Sequence, residues 1–138
     1  MTNPIDMTFE EKVEQVTKSN RIPSGQGTNF LRFQEIGLHQ IVGRTGNSLA
    51  NTVRGMGLDQ EYVSAFSDRI KEGRYFFTYE QPVVKPLGTK NENGEDLFEL
   101  ICGEHRYQGH KGALRSTMFC AVCEFDTEED EMIFQSNE

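Results

Sequence analysis

The sequence predicts an α/β fold, a mixed sheet with flanking helices, and three observations carry that expectation. Two strand-like runs, Pro82 to Leu87 and Asp96 to Cys102, are joined through Asn93-Gly94. The second run passes through Gly103 directly into a helical pattern. Met118 to Phe125 is apolar on both sides of its alternation, as an interior strand is. At 138 residues, with 10 Phe and 4 Tyr as core material, the chain has the length and composition of one globular domain.

The elements follow in order. Thr8 can cap a helix while Glu11 reaches back to complete a capping box, and Phe9, Val13 and Val16 then fall at helical spacing. Arg21 to Thr28, with Pro23, Gly25 and Gly27, reads as a loop, and Phe30 to Ile36 as a short strand. Val42 to Gly57 holds four glycines among Arg44, Asn47 and Arg54 and reads as a long irregular stretch, the kind of loop that often carries function.

Asp59 then caps a helix to about Glu72, with Tyr62, Val63, Phe66 and Ile70 on one face and Gly73 as its stop. In the hairpin that follows, Asn93-Gly94 readily supplies the two positive φ values of a type I′ turn. The helix from Gly103 runs to about Leu114 in spite of Gly109 and Gly112, which signal close packing. After the last strand, Asp126 or Thr127 caps an acidic helix with Met132 and Ile133 inward.

Charge is unevenly placed. The net charge is -8, yet Glu124 to Glu138 holds seven acidic residues and no basic one, leaving 15 acidic against 14 basic in residues 1–123. This charge argues against a general nucleic-acid-coating surface but leaves room for a local basic pocket in the body. No apolar run approaches the roughly 20 residues that span a bilayer and no secretory signal is visible, so the expected location is the cytoplasm, without a membrane partner. Three cysteines, an odd number, argue for reduced thiols.

The candidate site is the turn Gly103-Glu104-His105-Arg106. Backbone N–H groups at a helix start attract anions, Gly103 permits the close approach a phosphate needs, and Arg106 offers a planar fork of donors. His105 can donate to a phosphate or act as a general acid or base near neutral pH. Glu104 is the one carboxylate of the turn, and a first-turn Glu also suits the helix dipole without any further role.

The order of these features resembles the N-terminal domain of the ParB family: a helix, Gln81-Pro82-Val83-Val84, a hairpin strand, Gly103-Glu104-His105-Arg106, a helix with Lys111 and Ala113, then a hydrophobic strand. The resemblance covers residues 30–138, with residues 1–29 as an N-terminal helix-and-loop extension. It implies a ParB/sulfiredoxin-like fold and phosphate groups of nucleic acid or nucleotide as the ligand, with a nucleoside triphosphate and Mg²⁺ as candidate cofactors. On it, Glu104 and His105 are candidate catalytic residues. Gly103, Arg106, Gln81, Lys85, Asn137 and Arg44 are candidate phosphate or nucleotide contacts, with Arg54 a further cation from the glycine-rich stretch.

The family's usual turn is Gly-Glu-Arg-Arg, so His105 departs from it. Sulfiredoxins share the fold and carry Gly-Cys-His-Arg; Glu104 stands where their reactive Cys would be, and Cys102 is one position early, so their chemistry is not expected here. Cys120 and Cys123 form a Cys-x-x-Cys within a strand, where positions three apart face opposite sides, so no metal site is expected. His110 reads as a helix-surface residue, and His39 has no visible partner. Three functions remain: a ParB-like nuclease-type domain acting on phosphates, a nucleotide-dependent small-molecule kinase with Glu104 as base, and a non-catalytic interaction protein.

Overall fold

The computed structural model of the protein describes residues 3–43, 60–75, 77 and 80–136. Four helices, α1 (Phe9–Lys18), α2 (Gln60–Lys71), α3 (Glu104–Gly112) and α4 (Glu128–Ser136), flank five strands. The strands are β1 (Thr28–Gly37), β2 (Ile41–Val42), β3 (Val83–Lys90), β4 (Asp96–Cys102) and β5 (Thr117–Phe125), in the sheet order β1-β5-β3-β4-β2. β1 with β5 and β3 with β4 are antiparallel, while β3 with β5 and β2 with β4 are parallel, which makes the sheet mixed as expected. Among the described residues no helix is long and apolar enough to cross a membrane.

β5 is an interior strand, and its six residues Met118 to Cys123 are all buried. Phe119, Ala121 and Cys123 belong to one core cluster with Val16 of α1 and Phe66 and Ile70 of α2. Met118, Cys120 and Val122 belong to the other, with Ile36, Val84, Leu100 and Tyr107. Cys120 and Cys123 therefore do face opposite sides of the sheet, as strand periodicity requires. Val16 is fully buried and Lys12, itself buried, pairs with Glu35 of β1, so α1 is tied into the core. The capping box at Thr8 and Glu11 is present.

The hairpin forms with a different turn. Only Gly94 has a positive φ, 80°, and Asn93 does not. Asn91 N–H donates to the Glu95 carbonyl at 2.9 Å, and the Asn91 side-chain oxygen accepts from Asn93 and Glu95 N–H at 2.9 and 3.0 Å. That acceptor holds a three-residue loop in which one left-handed residue suffices, in place of the two a type I′ turn needs. β2 is an element absent from the sequence reading, which put Val42 in the irregular stretch; residues 44–59, with Arg44, Arg54 and the Asp59 cap, lie outside the described residues.

Three other expectations are corrected. Met132 and Ile133 are 49% and 51% exposed, because α4 turns Glu131 and Phe134 inward: Glu131 accepts from Lys85 of β3 and Phe134 packs on Phe125. His110 is buried, not on the helix surface, with its ring 5.2 Å from that of Tyr75. His39 has a partner after all, the Glu95 carboxylate, with Nε2 at 2.8 Å. α3 itself ends at Gly112, and Leu114 follows in the left-handed region, 90% exposed.

The glycines of α3 are explained by its packing. A Cβ at position 109 would lie 2.6 Å from the Phe66 Cβ, and one at 112 would lie 2.4 Å from the Ser67 hydroxyl oxygen. Helix α3 thus sits closer to α2 than any larger residue allows, and this contact fixes where its first turn points.

Candidate functional site

β4 ends at Cys102, and Gly103 turns the chain into α3 with φ 105° and ψ 29°, a left-handed conformation that costs a residue with a side chain about 1–2 kcal/mol. Space forbids a side chain as well, since a Cβ there would lie 2.9 Å from the Cβ of Pro82. The close approach sets the turn beside Gln81-Pro82 at the entry to β3. Gly103 has no side chain with which to cap α3, and the ladder begins with Tyr107 N–H donating to the Gly103 carbonyl at 2.9 Å. The N–H groups of residues 104–106 precede that ladder, as in any first helical turn.

The side chains of the turn are half-buried. One Glu104 carboxylate oxygen is buried, so that carboxylate does not stand wholly in solvent. The His105 ring meets Tyr62 edge to face at 4.9 Å, Tyr62 meets Phe66 in the same way at 5.1 Å, and the Arg106 guanidinium lies 5.6 Å from the Phe66 ring centre. An aromatic pair on α2 therefore supports both donors of the turn from one side. A cation over a ring contributes only about 0.5–1 kcal/mol at such a site, less than a charge-assisted bond to phosphate, so Arg106 can leave Phe66 for a ligand.

The other predicted contacts are placed as follows. Gln81 is buried and directly precedes the Pro82 that packs on Gly103. Lys85 is engaged elsewhere: its ammonium lies 2.5 Å from the Glu131 carboxylate of α4. Burial works against its charge, but the bond to Glu131, with Glu99 nearby, raises its pKa on balance. Arg44 and Asn137 lie outside the described residues. Among the described residues, no group of three or more His, Cys, Asp or Glu is placed to hold a metal ion.

Deeper in α3 the polar groups are locked. His110 Nδ1 lies 2.7 Å from the Arg106 carbonyl and must donate to it, which leaves Nε2 buried and without a partner among the described residues. Burial lowers the His110 pKa to about 4, so the ring is neutral. Its neighbour Tyr75, at 5.2 Å between ring centres, also has a buried hydroxyl without a partner, and burial raises its pKa. The strand thiols are inert for the same reason: burial pushes Cys123 up to about 11 and Cys120 higher still.

The sequence reading missed the supporting Tyr62 and Phe66 and a cavity of about 820 Å³ bordered by Gln81 and Cys102. The glycine pair at 109 and 112 was the available signal for the first. The cavity had none, because its walls come from the 20–28 loop, the entry to β3, the end of β4, and α4.

No protein-family model matches the chain, and no curated protein matches it in sequence. Among solved structures, the C-terminally truncated chromosome-partitioning protein ParB from Caulobacter crescentus, complexed with CTP-gamma-S, matches with TM-score 0.54 and 15% identity over 76% of this chain. The match covers 51% of that ParB chain, about half its length. Sulfiredoxin from Arabidopsis thaliana matches with TM-score 0.49 and 19% identity, over 75% of this chain and 97% of that one. The likeness to ParB, together with the mixed sheet and the glycine turn between β4 and α3, shows that this chain has the ParB/sulfiredoxin-like fold.

Proposed function

We propose that the Gly103 to Arg106 turn binds phosphate groups of a nucleotide. The observation that carries this reading is Gly103 itself: a left-handed residue without a capping side chain, pressed on Pro82 and opening a helix whose third residue is an arginine. Such a start presents N–H groups and the positive end of the helix dipole to an anion, with Arg106 as a movable fork and His105 as a further donor. The structural neighbour ParB was solved with a nucleotide analogue, which agrees with this ligand class.

A free nucleotide suits the chain better than nucleic acid, since seven carboxylates between Glu124 and Glu138 would repel a long polyanion. Gln81, beside Pro82, would contact the same ligand, whereas Lys85 would first have to leave Glu131. A Mg²⁺ ion would take most of its ligands from the phosphates and water, with Glu104 as the one carboxylate of the turn. Glu104 would serve as the base if the domain transfers a phosphoryl group, and its buried oxygen favours a positioning role over that one.

Isothermal titration against CTP, ATP, ADP and a short DNA, with and without Mg²⁺, tests the reading. The nucleotides should bind and the DNA should not. Arg106→Ala should weaken nucleotide binding by about tenfold or more, the loss of one or two charge-assisted hydrogen bonds. An Arg106→Ala protein that is folded by circular dichroism and binds every phosphate ligand as well as the parent would remove the site.

A further inference from the structure

The cavity beside the turn is electrostatically unlike it. Its volume, about 820 Å³, lies in the range of small-molecule sites. Buried Val83 and Cys102, with the Phe134 ring, form an apolar floor. Ile22 and Ile133 border it and are 39% and 51% exposed, so two aliphatic side chains stand in water around a concave surface. The charged groups of the rim are Glu80, Glu129 and Asp130 against Arg21 alone.

Arg21 is held 3.7 Å from Glu80, and among the described residues neither Glu129 nor Asp130, both in the first turn of α4, forms an ion pair with a side chain. Asp130 is fixed toward the helix cap by Thr127, whose hydroxyl donates to it at 2.9 Å, and Glu129 is exposed. A phosphate entering here would meet like charge. An ammonium or guanidinium group would be attracted to the rim while its stem covered Ile22, Ile133 and the floor.

We infer that this cavity binds a small organic cation with an apolar body, separately from the anion at Gly103 to Arg106. Two features act together. The floor gains from covering apolar surface, and the rim selects positive charge. Because Gln81 and Cys102 also flank the turn, the two ligands would lie next to each other with opposite charge.

The experiment uses tryptamine and agmatine as cations and tryptophol as the neutral counterpart of tryptamine, followed by two-dimensional amide NMR of the whole chain. Tryptamine should give saturable shifts at Gly25, Gln81, Cys102 and Ile133, with tryptophol about fivefold weaker or more. Glu129→Gln should weaken tryptamine about threefold and leave tryptophol unchanged, whereas Ile133→Ser should weaken both. Arg106→Ala should leave tryptamine binding as it is, so this site stands even if the phosphate reading fails. The inference is overturned if neither cation gives saturable shifts, if tryptophol binds as tightly as tryptamine, if the shifts spread over the outer acidic face of α4, or if Glu129→Gln changes nothing.

Discussion

Two strands of this sheet run straight into a helix, and the two junctions are built in opposite ways. Between β5 and α4, Thr127 closes the helix start itself: its hydroxyl accepts from Asp130 N–H at 3.0 Å and donates to the Asp130 side chain, in a first turn that carries four acidic residues. Between β4 and α3, Gly103 supplies no capping side chain, and the first turn carries one acidic residue followed by His105 and Arg106. A helix start attracts an anion only while its N–H groups and dipole are not already satisfied. By that criterion α4 is closed to phosphate, and the phosphate site proposed above lies at the helix start whose N-cap residue has no side chain. The contrast is local, because one turn further on α3 is packed too tightly against α2 to admit even a Cβ.

The sharpest way to break this contrast is to give Gly103 a side chain. Gly103→Ala should cost roughly 2–4 kcal/mol, combining a strained left-handed residue with a clash against Pro82. Urea denaturation measures it, and a loss below about 0.5 kcal/mol would mean that the turn is free to adopt another conformation. That outcome would remove the structural basis of the proposed site.

The closed part of α3 is tested by pH. His110 is neutral in the fold with its pKa lowered from 6.5 to about 4, so between these values the unfolded chain binds more protons than the folded one. Stability from this group is fully present above about pH 6.5 and declines as the pH falls toward 4. The decline amounts to on the order of 3 kcal/mol. His110→Phe should flatten the stability profile across that window relative to the parent; parallel profiles would show that the ring is not held neutral.

The smallest effect is expected at the other junction. Thr127→Ala should cost about 1 kcal/mol, the usual loss for a helix cap, and should not create an anion site, since the acidic first turn remains. A thermal shift on adding phosphate to Thr127→Ala, but not to the parent, would show that capping alone separates the two junctions.

Much of this architecture was legible in the sequence, because it is dictated by neighbours along the chain. The capping box at Thr8 and Glu11, the continuous apolar run of β5 and the glycine where β4 passes into α3 each follow from local geometry. The opposed faces of Cys120 and Cys123 follow from strand periodicity for the same reason. What the sequence could not determine were contacts between segments far apart in it. The inner face of α4 runs through Glu131 and Phe134 because Lys85 and Phe125 wait there, although the local pattern favours Met132 and Ile133. His110 is a polar residue at a surface-like position, and it lies in the interior against Tyr75, a residue 35 positions earlier in the chain. The turn chemistry of the candidate site was therefore determined by the sequence itself. Its aromatic support, the capture of Lys85 and the acidic cavity beside it were decided by tertiary packing, which sums many weak contacts that no single stretch of chain records.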